Sequence, residues 1–474
     1  MWAINQPLTP DQRHASIIPG MNWRLVLGVV AVAILVGLVL VLRANLPSVT
    51  LVSPADGDIR VAIGSPIKLA FSEAMQPESV EQNLIIQPSV PGSFSWGENT
   101  LTFTPEQPWP SGEQIDVTLE AGARTRLGLP MINGQGWSFS INPPLLVYLW
   151  PADEPADLYT IDLEDSSAAR LTEQPNGILS YDISISGRQI FYSTRITNQN
   201  SAIFRIDRMK ESITQILGCT NVLCDFPKLS PQGDYLAYTR APSNPSSETF
   251  PQQVWLLPII DGEPLAESQA RLVSDPLHSV GVPFWSPNGL LTFHDKDLQQ
   301  FVVLDPMSNE LLFFPNETGE AGTWSPDSSN FIVHEVEFWG DGPLDYTSHL
   351  WRFEYPSTLS SDLSQDPTVE DVTPAYSPDG KLIAFGRRYL DPNRFIIGSQ
   401  IWMMRADGSF PQQITDNPDY NHADFAWKPD GRQLAFVRHK QTTLIDPPEI
   451  WITLPDGSDA VRLVIGGYAP AWIP

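Results

Sequence analysis

The chain has 474 residues, of which 55 are acidic and 28 basic, giving a formal net charge of −27. Such an acidic chain excludes a nucleic-acid scaffold, because phosphate binding requires a cationic surface. Hydrophobic residues make up 42% of the sequence, which is enough for sizeable cores and excludes a disordered chain. The 45 prolines and 31 glycines favour short elements joined by turns, and the length suggests about three globular units.

The first feature along the chain is an apolar segment near its start. From Leu25 to Leu42, between Arg24 and Arg43, no side chain is charged or strongly polar. A helix over this run would cover about 27 Å, close to one hydrocarbon thickness. A buried core helix is the alternative, but it would normally keep a polar face. No small-residue cleavage site follows, so an uncleaved anchor is favoured over a signal peptide.

The flanks of this segment predict its orientation. Arg13 and Arg24 precede it, and basic residues are retained on the cytoplasmic side of a membrane. We therefore expect a single-pass protein of the cytoplasmic membrane with the bulk of the chain extracytoplasmic. The expected divisions are a cytoplasmic tail at 1–20, a transmembrane anchor at 21–43 and a linker at 44–50.

Alternating apolar runs separated by turn residues fill the next segment, 51–143. They read PIKLAF, NLIIQP, GSFSW, TLTFTP, QIDVTL and GWSFSI. Short strands at this spacing are typical of an all-β sandwich. The sequence from SPADGDIRV through GSFSWGENTLTFTP to GWSFSI resembles the bacterial Ig-like domain of surface-layer and secreted proteins. That resemblance implies a spacer or adhesion module.

The remaining residues, 144–474, contain an internal repeat of three patterns in fixed order. The first is a strand ending in a turn, as in FPKLSPQG, VPFWSPNG, TPAYSPDG and FAWKPDG; the second is the strand that follows, as in YLAYT, LIAFG and QLAFV. The third has a central aromatic residue, as in LYTID, VWLLP, LWRFE and IWMMR. Copies of the third pattern recur every 45 to 51 residues, a period that suits four short strands plus turns. The combination resembles the WD40-like β-propeller of the TolB-type family.

The two ends of the repeat predict how the propeller closes. The region begins with LLVYLW at Leu145, which matches the second pattern, and it ends with YAPAWIP at Tyr468–Pro474, which matches the first. Counting both ends gives seven copies of each pattern, so we predict seven blades closed by pairing of the first and last strands. The TolB-type family is usually six-bladed, so six blades remain the alternative.

The strand order places the short SPDG turns on one face of the disc and long, dissimilar loops on the other. Uniform turns are typical of a scaffold, whereas long aromatic and charged loops are typical of recognition surfaces. We therefore predict a binding rim on the loop face. Its candidate residues are Trp339, Asp341, Asp345, Tyr346, Arg387, Tyr389, His278, His422 and Asp424.

Several of these residues admit a second interpretation. The acidic loop from Glu335 to His349 could hold calcium, although its carboxylates lack a fixed ligand spacing and solvated side chains are the alternative. The basic loop that contains Arg387 and Arg394 could grip a carboxylate of a partner or pair with the acidic loop. The histidines are expected to be structural in most cases. No other cofactor and no metal site is predicted.

The only two cysteines, Cys219 and Cys224, lie in the sequence CTNVLC. Outside the cytosol a local disulfide is permitted, and two unlinked thiols are the alternative.

The sequence therefore predicts a membrane-anchored cell-envelope protein whose propeller binds an envelope protein or a cell-wall component and is not an enzyme. No nucleophile elbow, zinc-protease helix or phosphate loop occurs in the sequence. The alternatives are a channel-centred lyase or glycan hydrolase, and a sensor of a small ligand or calcium.

Overall fold

The computed structural model describes Gly28 and residues 46–474, except positions 62, 111, 142–144, 164–165, 245–249, 261–262, 339, 341, 343–344 and 444. The predicted anchor at 21–43, apart from Gly28, lies outside the described residues. Within the part of the chain that the structure describes, no helix has the length and apolar character needed to cross a membrane. The expected location as a single-pass protein of the cytoplasmic membrane is therefore corrected, because no described element supports it.

The first unit is a two-sheet sandwich, as the sequence predicts. Its elements are β1 (Val49–Ser53), β2 (Asp58–Val61), β3 (Ile67–Phe71), α1 (Pro77–Asn83), β4 (Leu84–Gln87), β5 (Gly92–Trp96), β6 (Thr100–Pro105), β7 (Gln114–Leu119) and β8 (Gln135–Ile141). One sheet has the order β1-β3-β6-β5 and the other β2-β8-β7-β4. Strand β1 begins inside the segment predicted as a linker.

Alternation along the strands builds the core of this sandwich. In β7, Ile115, Val117 and Leu119 are fully buried while the residues between them face solvent. Such alternation is expected where one face of an antiparallel sheet packs on a second sheet. Trp109 and Phe139 fill the space between the sheets.

From Leu145 onward the strands form antiparallel meanders, which we number 1 to 7 in chain order. Meander 1 has β9 (Leu145–Trp150), β10 (Asp157–Ile161) and β11 (Ala168–Arg170). Meander 2 has β12 (Ile178–Ile183), β13 (Gln189–Arg195), β14 (Asn200–Asp207) and β15 (Ser212–Thr220). Meander 3 has β16 (Val222–Leu229), β17 (Tyr235–Pro242), β18 (Gln253–Ile260), β19 (Glu263–Pro264), a 3-10 turn (Glu267–Gln269) and β20 (Arg271–Leu272). Meander 4 has β21 (Phe284–Trp285), β22 (Leu291–Asp295), β23 (Gln300–Leu304) and β24 (Leu311–Pro315).

Meanders 5 and 6 belong to one eight-stranded sheet, in which Ser348 and Glu370 form the single parallel pair that joins them. Meander 5 has β25 (Thr323–Trp324), β26 (Asn330–Phe338), β27 (Tyr346–Glu354) and β28 (Ser360–Asp362). Meander 6 has β29 (Val369–Tyr376), β30 (Leu382–Tyr389), β31 (Gln400–Arg405) and β32 (Gln412–Gln413). Meander 7 has β33 (Tyr420–Trp427), β34 (Leu434–Lys440), β35 (Glu449–Thr453) and β36 (Val461–Ile465), and the last strand is β37 (Tyr468–Ile473).

The SPDG turns join the first and second strands of a meander. In SPDG at 377–380, the hydroxyl of Ser377 donates to Oδ1 of Asp379 (2.7 Å), and Gly380 adopts the left-handed conformation at φ +69°. The backbone N–H of Leu382 then donates to the Ser377 hydroxyl (2.9 Å), which starts the second strand. Aspartate and glycine were expected here for their turn geometry, but the bridging role of the serine was not predicted.

Aromatic residues of the first pattern connect neighbouring meanders. The indole N–H groups of Trp285, Trp427 and Trp472 donate to backbone carbonyls of Lys228, Ala375 and Ala426 at 2.9, 3.1 and 3.0 Å. Each carbonyl lies on the first strand of the preceding meander. The first strands are therefore adjacent to one another and line the centre of the ring.

The predicted pairing of the two ends is present. Strand β37 runs antiparallel to β9, with Ala471 opposite Val147 and Trp472 opposite Leu146. The closing sheet has the order β11-β10-β9-β37, so the C-terminal strand is the first strand of meander 1. Trp472 and Ile473 are buried against residues of meanders 7 and 2.

We predict that deleting Tyr468–Pro474 abolishes cooperative folding of the repeat region, because it exposes the edge of β9 and two open core surfaces. The smaller change Trp472→Ala should cost about 3–5 kcal/mol of unfolding free energy. Thermal and denaturant unfolding followed by circular dichroism measures both. Val461→Ala, at a half-exposed position on β36, should change stability by less than about 0.5 kcal/mol. Unchanged melting of the deletion variant would refute closure by this strand.

Candidate functional site

The loop face is formed by the connections between second and third strands and by the connections that enter the first strands, opposite the SPDG turns. Exposed apolar side chains occur in or beside most of these connections; Ile445 is 95% and Phe338 is 76% exposed. We call this set the apolar rim: Trp150, Ile196, Leu277, Leu298, Phe338, Phe395, Ile397 and Ile445. Exposed apolar side chains that lie near one another are typical of interaction surfaces.

The basic loop of meander 6 is neutralised by carboxylates of its own meander. Nε and Nη2 of Arg387 donate to Oδ1 and Oδ2 of Asp371, each at 2.6 Å, and both side chains are buried. At the neighbouring register position Arg388 pairs with Glu370 through its Nε, and this pair is partly exposed. The prediction of Arg387 as a rim residue is therefore corrected, because a buried bidentate pair is not offered to a partner.

Tyr389 and Tyr346 lie at the loop face. Arg394 pairs with Asp391 (2.5 Å) and its guanidinium carbon lies 3.8 Å above the Tyr389 ring. The hydroxyl of Tyr346 accepts a hydrogen bond from Arg388 (2.8 Å), which connects the loops of meanders 5 and 6.

The acidic loop is only partly described. Trp339 and Asp341 lie outside the described residues. A carboxylate oxygen of Asp345 accepts the backbone N–H of Gly342 (2.8 Å), so this side chain orders its own turn. Across the described ranges no group of three or more histidine, cysteine, aspartate or glutamate side chains is placed to hold a metal ion.

The two candidate histidines have different environments. Nδ1 of His278 lies 2.7 Å from a carboxylate oxygen of Asp295, and this hydrogen bond raises the pKa of His278. His422 is only 1% exposed, and its Nδ1–H donates to the carbonyl of Ser399 (2.8 Å). Burial lowers the pKa of His422 to about 4, so the ring is neutral and structural. The expectation that it lies at the rim is corrected.

Asp424 lies instead in a central cavity of about 430 Å³ between first strands. It follows Ala423 at a bulge and has φ 53°, a left-handed conformation that turns it away from His422. Its side chain is open to the cavity, yet the surrounding walls raise the pKa of its carboxyl, an effect that the Ala469 backbone N–H partly offsets. Of these two predicted rim residues, Asp424 therefore lines the central cavity, whereas His422 is buried.

The other polar groups of this cavity are paired. The ammonium of Lys228 lies 3.2 Å from Asp182, whose second oxygen accepts the backbone N–H of Leu229 (2.9 Å). The Tyr181 hydroxyl donates to the carbonyl of Ala469 (2.5 Å).

Sequence reasoning missed a repeated stack of arginine on tryptophan. The guanidinium carbon of Arg240 lies 4.1 Å from the ring centre of Trp255, and Arg438 lies 3.9 Å from that of Trp451. Arg387 repeats the arrangement over Trp402 at 5.1 Å. The signal was present, because arginine directly follows the second pattern in YLAYTR, LIAFGR and QLAFVR.

The predicted disulfide is formed between Cys219 at the end of β15 and Cys224 near the start of β16. It connects the last strand of meander 2 to the first strand of meander 3.

Lowering the pH should destabilise the fold through His422. Its folded pKa is about 4 against an ordinary 6.5, so its stabilisation is complete above pH 6.5 and is lost as the pH falls towards 4. The expected loss between pH 7 and pH 4.5 is about 2 kcal/mol of unfolding free energy. Denaturant unfolding of the wild type and His422→Gln at pH 7 and pH 4.5 measures it, with a flatter pH response in the variant. Equal slopes for the two proteins would contradict this role.

Comparison with known proteins confirms the first expected resemblance. Residues 44–141 match the bacterial Ig-like domain. A segment of 119 residues is 28% identical to the uncharacterized peptidase YuxL of Bacillus subtilis (strain 168). That alignment covers 23% of this chain and 17% of the length of YuxL.

Solved structures similar to the chain include two TolB proteins. TolB from Acinetobacter baumannii is 11% identical, with 90% of this chain and 99% of that one covered and a TM-score of 0.43. A putative TolB from Agrobacterium tumefaciens is 17% identical, with 69% and 91% covered and a TM-score of 0.39. The periplasmic gluconolactonase PpgL of Pseudomonas aeruginosa is 16% identical, with 70% and 99% covered and a TM-score of 0.45.

Proposed function

We propose that this is a cell-envelope protein whose repeat region is a seven-bladed propeller that binds a partner protein or a cell-wall component on its loop face without catalysing a reaction. The observation that carries the proposal is the apolar rim. The count of seven takes each meander as one blade. Meanders 5 and 6 are counted separately because only the Ser348–Glu370 pair joins them.

The rim has the composition expected of an interface. Exposed aromatic and aliphatic side chains such as Phe338, Phe395 and Ile445 supply area that a partner can bury. Between them, ion pairs such as Arg388–Glu370 and Arg394–Asp391 fix polar groups in place. Interfaces between proteins usually combine apolar area with polar groups that form hydrogen bonds.

The central cavity supports a binding role over a catalytic one. Glycoside hydrolysis requires two carboxyl groups that converge on the substrate. Among the described groups of the cavity, Asp182 is held by Lys228 and Leu229, which leaves Asp424 as the carboxylate open to the cavity.

A role in the cell envelope is supported by the Cys219–Cys224 disulfide. Such bonds persist in oxidising compartments and are rare in the cytosol. The bacterial Ig-like domain at 44–141 is consistent with the same location.

The proposal predicts that charge on the rim abolishes partner capture. Purified wild type and the double variant Phe338→Asp, Ile445→Asp are used as baits against a bacterial envelope extract, and bound proteins and glycans are quantified. We expect at least about a tenfold loss for the rim variant, because desolvated carboxylates oppose burial of the surface.

The matched control is Met307→Asp, Leu359→Asp. These side chains are 77% and 64% exposed on the opposite face, so the variant carries the same added charge. It should capture the same species as the wild type. Equal capture by rim and control variants, with both proteins folded, would refute a binding role of the loop face.

A further inference from the structure

The junction between meanders 5 and 6 is held by side chains as well as by the backbone pair of Ser348 and Glu370. The hydroxyl of Thr347 donates to the carbonyl of Val369 (2.9 Å), and the hydroxyl of Ser348 donates to the carbonyl of Asp371 (2.9 Å). These contacts join the start of β27 to the start of β29. Both strands begin at the loop face, so the junction lies directly beside the apolar rim.

His349, the next residue of β27, has both ring nitrogens directed at hydrogen-bond acceptors. Nδ1 lies 2.9 Å from a carboxylate oxygen of Asp362, and Nε2 lies 2.8 Å from the backbone carbonyl of Asp366. An ionised carboxylate and a carbonyl can only accept, so both nitrogens must carry a proton for both bonds to form. The geometry therefore requires the imidazolium form of His349, whose side chain is only 15% exposed.

The carboxylate beside the ring keeps the proton in place. The hydrogen bond to Asp362 raises the pKa of His349, and this effect outweighs the opposing effect of burial. Burial alone would raise the pKa of Asp362, but the hydrogen bond from His349 lowers it, so this carboxylate is ionised and cannot donate.

The other charged groups that face the ring have partners of their own. The negative charge of Asp371 favours the imidazolium, and this carboxylate is paired with Arg387. Glu335 lies opposite His349 on β26, where its carboxylate accepts the backbone N–H of Glu317 (2.8 Å). Asp362 is therefore the carboxylate that forms a direct ion pair with His349.

The carbonyl bound by Nε2 belongs to a segment that supports the loop of meander 6. Oδ1 of Asp366 accepts the backbone N–H (2.9 Å) and the hydroxyl (2.6 Å) of Thr368. The Thr368 hydroxyl accepts a hydrogen bond from Arg394 (3.0 Å), and the Thr368 carbonyl accepts the backbone N–H of Leu390 (2.7 Å). The loop that follows carries Phe395 of the apolar rim. A continuous series of hydrogen bonds therefore connects the imidazolium to the rim.

Loss of one proton from the ring would turn one of its two hydrogen bonds into a contact between two acceptors. The Asp366 carbonyl or the Asp362 carboxylate would then lack its donor, which is unfavourable for a partly buried group. Because the folded-state pKa of His349 lies above the ordinary 6.5, its contribution is complete below pH 6.5. It is lost as the pH rises through the folded-state value.

We propose that His349, Asp362 and Asp366 form a pH-sensitive clamp that holds the meander 5–6 sector of the apolar rim in its binding conformation and releases it when the ring loses a proton. The effect on binding rests on the proposed function of the loop face. The clamp itself can be measured without a partner.

Nitrogen NMR of the full chain with ¹⁵N-labelled histidine tests the protonation state. The His349 signal is assigned by its absence from His349→Gln, and His439→Gln, which removes a half-buried ring of meander 7, is the control. We expect both ring nitrogens of His349 to be protonated at pH 7, where an exposed histidine is mostly neutral. A neutral His349 ring at pH 7 would overturn the proposal.

Hydrogen exchange of the segment 390–398 tests the connection to the rim. After correction for the intrinsic exchange rate, protection of this segment should fall at least about fivefold between pH 6 and pH 9 in the wild type. Asp362→Asn should move this fall to lower pH, because it removes the charge that retains the proton. Thermal melting establishes that each variant is folded, and the sandwich strand Gln114–Leu119 is the internal reference. Equal protection at both pH values in the wild type would refute release.

Partner capture separates failure of the clamp from failure of the proposed function. Capture from a bacterial envelope extract should be at least about fivefold lower at pH 9 than at pH 6 for the wild type and His439→Gln. It should be low and independent of pH for His349→Gln. Equal wild-type capture at both pH values, with a deprotonated ring at pH 9, would refute control of the rim. No capture at either pH would refute the loop-face function, whereas the clamp stands or falls with the NMR and exchange results.

Discussion

The repeat region depends on one backbone ladder, between the last strand and the strand that follows the sandwich. Ala471 and Trp472 pair with Val147 and Leu146, so the ring has no free first-strand edge at its seam. The same strand packs on both neighbouring meanders. The Trp472 indole N–H donates to the carbonyl of Ala426 in meander 7, and the Tyr181 hydroxyl of meander 2 donates to the carbonyl of Ala469. Without this strand, the hydrophobic cores next to meanders 2 and 7 would be incomplete, and the loops of the meanders would no longer be held on one face.

Much of the fold could be predicted because local periodicity and turn chemistry agree with the global arrangement. Alternation in β7, the SPDG turns and the recurring aromatic strand each determine a short-range structure, and the sandwich, the meanders and the seam follow from them. The membrane location was wrong on the described residues, since an apolar composition alone does not establish where a segment lies.

The site was less predictable because sequence does not show which way a side chain points. Arg387 and His422 both occur in or beside variable loops, yet Arg387 is paired in the interior with Asp371 and His422 is enclosed behind Ser399. One bulge separates His422 from Asp424 and sends the two side chains to different environments. The cavity of about 760 Å³ that Ile63 of the sandwich and Pro474 of the repeat region both line depends on how two domains are placed, which no local pattern encodes.

The bulges of the first strands have a consequence for the channel wall. Phe226, Thr373, Asp424 and Ala469 occupy the same place in four meanders and share φ values of 48° to 53°. None of them is buried, so a phenyl ring, a hydroxyl, a carboxylate and a methyl group are all accommodated at one geometric position. In these four meanders the same left-handed backbone position therefore carries four chemically different side chains. A single substitution there changes the chemistry of the channel lining at a fixed backbone geometry.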